Sequence, residues 1–426
     1  MPAPTSRAPA ATTTASPPGP TTSTMPMPRA AADALALPRE ALFLELHVIS
    51  FSHYCARAKW YLGACGLRAE IHALMPVEHV PHMIALLKRF RAPRAPPTAS
   101  SRSPAATPAL AGYRVVGAGG GAKAPLFLLQ DSELIGRWAA LRAQALGDGG
   151  AAARALYGAD ARLSVSVSRE EAAAGAEDGG GGGSGGGKTE EGVVVAHAVL
   201  ECPPSSPRSP TPAELERRLS GAMGVESRRL VYFHLLPRRA LMMRLASLNA
   251  PASASWWARN VSGPAWGLAA SLALPSLLGV NAPAVDRGAR LLDAEFDFLD
   301  ALVEARGCLV RPRGWGGGSA GGPGGDGDGD ERVGAFLCGG AAASPSVADV
   351  SLATLASPLV GDVVGYGARV PLEREQPEGM RRMMRERYSG RPTARYVRAL
   401  WREHGAAAVA AGGSGGGAGP APMARL

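Results

Sequence analysis

"ALFLELHVISFSHYCARAKWYLGACGLRAEIHALM", residues 41–75, changes its hydrophobic period twice. Residues 41–50 are a mostly apolar run of strand length that stops at the polar Ser50 and Ser52. From Tyr54 the spacing becomes helical, with Ala58, Tyr61, Leu62 and Cys65 on one face and Arg57 and Lys59 off it. Gly66 stands where a C-cap glycine would close that helix. Residues 69–75 alternate apolar and polar side chains and predict a second strand. A strand, a helix and a strand in so short a span imply parallel strands joined by a right-handed crossover.

Outward from this unit, "EHVPHMIALLKRF" predicts another helix, and residues 91–107 an inserted loop. "PALAGYRVV" and "APLFLLQ" flank a Gly-rich turn and predict a hairpin. "DSELIGRWAALRAQALG" predicts a helix opened by Asp131 or Ser132 as N-cap and closed near Gly147. Residues 148–213 contain "GGGGGSGGG" and "CPPSSPRSPTP" and read as a linker without a periodic core pattern. From Glu214 to about His404 the spacing is helical, as in Leu215, Leu219, Met223, Leu230 and Phe233, or Leu292, Phe296, Leu299 and Val303.

The chain has 426 residues, of which 55 are Gly and 36 are Pro, gathered in tracts too poor in apolar side chains to order themselves. Without those tracts roughly 280 residues remain, enough for two packed units. The expected division is a disordered leader or transit peptide (1–38), an α/β domain (39–147, insert about 91–107) and a Gly/Pro-rich linker (148–213). A helical domain (214–404, Gly-rich insert 314–330) and a disordered tail (405–426) follow.

The first 32 residues lack Asp and Glu and carry Arg7 and Arg29, which resembles an organellar transit peptide; a disordered tail is the alternative. The compartment therefore stays open between cytoplasm and plastid. The net charge is +9, but no basic stripe interleaved with aromatics accompanies it, so nucleic-acid binding is not expected. The five cysteines are too few and too irregularly spaced for a disulfide framework or a zinc site. Asn260 to Val285 carries no charge, yet Pro264, Pro275 and Pro283 make it a poor membrane span, and a buried helix pair is expected instead.

Ser52 and Cys55 sit where the first helix begins. Unpaired amide N–H groups there stabilise a thiolate, and a cysteine in that setting can have its pKa lowered to about 3.5–7.5. A serine hydroxyl can instead donate a hydrogen bond to a ligand's thiolate. The plain structural alternative is that Ser52 caps the helix and Cys55 packs as a small apolar group. His53 and Tyr54 flank the same turn, and an exposed position is as consistent with His53 as contact with a thiol ligand.

The run "SFSHYCARAKWYLGACGLRAEIHALMPVEH" resembles the opening of a glutathione transferase, most closely the bacterial and algal transferase-like proteins with an S-H-Y-C turn. Asp131-Ser132, with Ile135 three residues on, is similar to the acidic-Ser pair that binds the γ-glutamyl end of glutathione in that superfamily. The resemblance also calls for a cis-proline before the hairpin. Pro108 in "TPAL" leaves room for the hairpin and Pro125 in "APLF" does not, so Pro108 is favoured. "SPSVADVSLATLASPLV" matches the superfamily's helix-capping segment, with Ser346 as N-cap and Asp349 three residues later. Residues 215–237 and 390–405 also resemble its C-terminal domain.

The resemblance implies a thioredoxin-like α/β domain followed by an all-α domain. It implies glutathione as co-substrate, conjugated to a small electrophile or exchanged with a disulfide substrate, with Ser52 or Cys55 managing the thiol. Pro108, Asp131 and Ser132 would hold the glutathione, and a homodimer would be usual. Trp256, Trp257 and Trp266 would line an apolar second-substrate pocket or pack in a core. The alternative function is a non-catalytic binding or scaffold protein of the same fold.

Overall fold

The computed structural model describes residues 21–75, 78–90, 107–116, 122–147, 149–170, 193–202, 210–250, 255–310, 331–338, 344–361, 375–405 and 407. Strand β1 (Thr21–Met27) and the short helix α1 (Arg29–Asp33) come first. The α/β unit follows: β2 (Leu42–Ile49), α2 (His53–Ala64), β3 (Glu70–Leu74), α3 (His79–Phe90), β4 (Ala109–Val116), β5 (Ala122–Gln130) and α4 (Ser132–Ala145). Its four strands form a mixed sheet in the order β3-β2-β4-β5, parallel between β2 and β3 and antiparallel elsewhere. The crossover expected between residues 41 and 75 is therefore present. The Thr107–Pro108 peptide is cis.

The two faces of this sheet follow from strand alternation. Leu44, Leu46, Val48, Leu110 and Leu129 join the main core, with Tyr61 and Leu62 of α2 and Ile135 and Trp138 of α4. Ala109, Ala111, Tyr113 and Leu128 face the other way and pack with Met83 and Leu86 of α3 in a smaller core. Helices α2 and α4 approach closely because Gly136 has no side chain; a Cβ there would lie 2.4 Å from the Tyr61 ring.

Two boundaries read from the sequence are corrected. Residues 21–38, expected within a disordered leader, are packed. Arg137 of α4 donates to the Ser23 carbonyl and hydroxyl (3.0 and 2.8 Å), Trp138 to the Ala31 carbonyl (3.0 Å) and Arg142 to the Leu35 carbonyl (2.7 Å). The linker expected at 148–213 contains α5 (Gly149–Tyr157), β6 (Arg162–Glu170) and β7 (Val193–Cys202). These strands and β1 form a second, antiparallel sheet in the order β1-β7-β6. The reason lies in "AHAVLEC", where Ala196, Ala198, Leu200 and Cys202 are buried on alternate positions. A strand signal this short is outweighed by the Gly and Pro tracts around it. The inserts at 91–106 and 314–330, residues 1–20 and the tail beyond residue 407 lie outside the described residues.

The C-terminal part is mostly helical: α6 (Pro212–Leu235), α7 (Arg239–Leu248), α8 (Gly263–Leu277), α9 (Ala282–Ala305), a two-residue ribbon of β8 (Leu309–Val310) and β9 (Arg332–Val333), α10 (Val347–Val360), α11 (Glu378–Met383) and α12 (Pro392–Leu400). Thr211 with Glu214 and Ser346 with Asp349 form complete capping boxes at α6 and α10. Helix α10 is buried on nearly every side, as its apolar and small residues require.

The buried helix pair expected over residues 260–285 is not formed: α8 packs on α7, with Gly267 against the Met243 backbone, and is largely exposed, and α9 begins only at Ala282. Leu272 is 60% exposed and Leu268 40%, because only one side of α8 has a partner. No helix among the described residues is long and apolar enough to cross a membrane. Trp256 and Trp257 are 71% and 60% exposed and belong to no core among the described residues, whereas Trp266 packs on Phe51 with ring centroids 6.4 Å apart.

Candidate functional site

The turn between β2 and α2 carries the first candidate residues. Ser52 is in the N-cap position with extended backbone, φ −81° and ψ 121°, but its side chain makes no bond to the helix amides. It shares a hydrogen bond with the Cys55 thiol instead, as do the Thr107 side chain and the Ile49 backbone. Cys55 is buried, and that burial raises its thiol pKa against the opposing pull of these bonds. The helix N-terminus does not prevail here, because desolvation of a thiolate outweighs the field of a few amides. Burial likewise raises the pKa of Cys65, Cys202, Cys308 and Cys338, and all five cysteines are free.

His53 is also buried, which corrects the exposed position considered for it. Burial lowers its pKa to about 3, helped by the charges of Arg228 and Arg57, so its ring is neutral at physiological pH. Its neighbour Tyr54 feels the same two arginines. The first turn of α2 thus lies near two cations, Arg57 on α2 itself and Arg228 on α6, with Asp131 acting on Tyr54 in the opposite sense.

Asp131 opens α4 with φ +89°, and its carboxylate accepts from the Glu133 amide at 2.7 Å. Ser132 is buried, and its Oγ accepts from Nε and Nη2 of Arg57 at 3.0 and 2.7 Å. Arg57 Nη1 also donates to Ser220 Oγ at 2.6 Å and Ser351 Oγ at 3.3 Å. One guanidinium therefore joins α2, α4, α6 and α10. The Tyr61 hydroxyl extends the network, donating to Glu216 Oε1 at 2.5 Å and lying 2.9 Å from Ser351 Oγ. The structure thus brings Ser52 and Cys55 together at one helix start and Asp131 and Ser132 at another, with Arg57 as the link. Pro108 stands just ahead of β4, after Thr107, whose side chain hydrogen-bonds to the Cys55 thiol.

Reading the sequence missed Arg57, Tyr61, Glu216, Ser220 and Ser351 as parts of this site. The helical period placed Arg57 off the apolar face, yet it is wholly buried. No local signal reveals it, because its partners lie 75, 163 and 294 positions away.

Burial, with the charge of Glu133, pushes the Glu216 carboxyl up from 4.5 to about 8 against the pull of Arg57. A raised folded-state pKa means that the unfolded chain releases this proton first. The related stability is fully present below pH 4.5 and is lost as pH rises towards about 8. Glu216→Gln removes that loss. The melting temperature of the variant relative to the wild type should climb across this window, and parallel profiles from pH 4 to 9 would refute the assignment.

No protein-family model, no curated protein and no solved structure matches the chain.

Proposed function

We propose that the chain is a glutathione-dependent transferase or related thiol enzyme that conjugates glutathione to an electrophile, on a thioredoxin-like α/β domain followed by a transferase-like helical domain. The observation that carries the reading is the half-buried Ser52 at the start of α2, near the cations Arg57 and Arg228 and beside the Asp131-Ser132 start of α4. An anionic thiolate is favoured near such cations, and a serine hydroxyl can donate a hydrogen bond to it. Arg57 lies five residues beyond Ser52, about 7.5 Å along the helix axis. The reading places the thiol of glutathione at Ser52 and its γ-glutamyl carboxylate at Ser132, whose hydroxyl Arg57 engages.

Between the two residues at the turn, the reading assigns thiol management to Ser52 and packing to Cys55, whose raised pKa keeps it a thiol. The sulfur of glutathione, as thiolate, would form a bond to the electrophilic carbon and displace its leaving group. Phe51 and Trp266, in contact beside Ser52, would supply apolar surface for that electrophile.

A second reading, a non-catalytic binding protein of the same fold, draws on the burial of Ser132 and its engagement by Arg57. Retention of the full chain on immobilised glutathione, with elution by free glutathione, separates the two. The enzyme reading expects retention, weakened in Ser132→Ala, and conjugation of a chloronitroaromatic that falls tenfold to a hundredfold in Ser52→Ala, the worth of one charge-assisted hydrogen bond. Cys55→Ala should keep most of the activity. Absence of both retention and conjugation would overturn the enzyme reading and leave the binding-protein one.

A further inference from the structure

The face of the central sheet that α3 covers carries a second group of chemistry-bearing side chains, separate from the turn at Ser52. Strands β2 and β3 are parallel and in register, so Glu45 stands beside Glu70 and His47 beside His72. Residues two apart on a strand point the same way, which puts all four on one face. His82 of α3 reaches the same place, its Nε2 3.0 Å from His47 Nδ1. The His47 and His72 rings stack with centroids 4.9 Å apart.

The nitrogens and oxygens converge without bonding. Glu45 Oε2 lies 3.7 Å from His47 Nε2 and 3.9 Å from His72 Nε2, and Glu70 Oε1 lies 3.5 Å from His72 Nε2. Neither His47 Nε2 nor His72 Nε2 has a hydrogen-bond partner among the described residues, although the His47 side chain is only 2% exposed. A buried imidazole nitrogen aimed at a carboxylate normally closes to a hydrogen bond of about 2.7–3.2 Å. The Glu45 and Glu70 ligand atoms also lie within 4.8 Å of each other, a repulsion that Lys123 Nζ, 3.9 Å from Glu45 Oε1, partly relieves.

We propose that Glu45, Glu70 and His72 bind one divalent transition-metal ion, for which zinc is the best match, with solvent in the fourth position as in open zinc sites. Bonds of about 2.0–2.2 Å in a tetrahedral zinc site put neighbouring donors about 3.3–3.6 Å apart; His72 Nε2 lies 3.5 Å from Glu70 Oε1 and 3.9 Å from Glu45 Oε2, and the three donor atoms all lie within 4.8 Å of one another. Imidazole nitrogen with carboxylate oxygen suits zinc, whereas magnesium and calcium prefer all-oxygen shells. His47, hydrogen-bonded through Nδ1 to His82 Nε2 and stacked on the His72 ring, holds that ring in place, as a supporting partner does in zinc sites. The side chains of Glu70 and His72 are 42% and 35% exposed, which gives the ion a path from solvent.

The test is calorimetric titration of the tag-free full chain with zinc, paired with cobalt(II) absorption as a report of tetrahedral geometry. The variants are His72→Ala and Glu70→Gln, at half-buried positions, each measured with and without metal so that a change in metal-free stability is separated from loss of the ion. The expected result is one zinc per chain, bound at least about tenfold more weakly in each variant, with a zinc-induced rise in melting temperature that both variants lose. Absence of stoichiometric zinc binding, or binding that survives both substitutions, would overturn the proposal. Equally tight binding of magnesium or calcium would overturn the choice of metal.

Discussion

Arg57→Ala is expected to lower the stability of the folded chain by about 3–5 kcal/mol, the range for removing one member of a buried ionic network. Its guanidinium is wholly buried and donates to Ser132, Ser220 and Ser351, in three different helices. Truncation leaves those hydroxyls short of a partner and removes the cation that offsets Glu216 and Asp131. It also empties the volume of a large side chain where α2, α4, α6 and α10 meet, and that cavity adds its own cost. Arg57→Lys should recover only part of the loss, because an ammonium cannot reproduce the planar fork that reaches two directions at once. Chemical denaturation followed by tryptophan fluorescence reads the effect. A midpoint within error of the wild type would show that the four helices do not depend on this residue.

Asp349→Ala is expected to cost a similar amount, about 3–5 kcal/mol, through a different mechanism. Asp349 is wholly buried, and its Oδ1 accepts from the Leu337 amide at 3.0 Å and the Tyr396 hydroxyl at 2.7 Å. Its Oδ2 accepts from the Ser346 amide at 2.9 Å and the Ser346 hydroxyl at 2.6 Å. Alanine leaves these donors buried without acceptors, each at about 1–3 kcal/mol before relaxation, and dissolves the capping box of α10. Burial raises the Asp349 pKa while these bonds oppose it. Asp349→Asn should fall between, since the amide oxygen replaces one acceptor and the NH₂ group faces a donor. Thermal unfolding decides it. A loss below about 1 kcal/mol in the alanine variant would mean that solvent reaches these donors and satisfies them.

Where a feature depends on neighbours in sequence, it could be read beforehand. The β2-α2-β3 unit, the helix start at Asp131 and the box at Ser346 and Asp349 all depend on residues within one or two turns. Strands β1, β6 and β7 escaped because each needs a partner across the Gly-rich tract or from the far N-terminus before its apolar face has anything to bury. The packed segment 21–38 escaped for the same reason. Its Ala, Pro, Ser and Thr composition reads as unfolded until Arg137, Trp138 and Arg142 of α4 supply donors to its carbonyls.

The candidate site divides in the same way. Ser52, Cys55, Asp131 and Ser132 were legible because helix starts have a local signature. The sequence by itself determined the order of strands and helices in the α/β unit, its parallel crossover and the helical character of the C-terminal part, all consequences of hydrophobic period and turn chemistry. Only the tertiary structure decided that Cys55 stays a thiol, that Arg57 is buried and shared among four helices, and that Glu45, Glu70, His47, His72 and His82 converge under α3. Desolvation and charge coupling act through space, and they exist only once the packed chain has excluded water from between residues far apart along it.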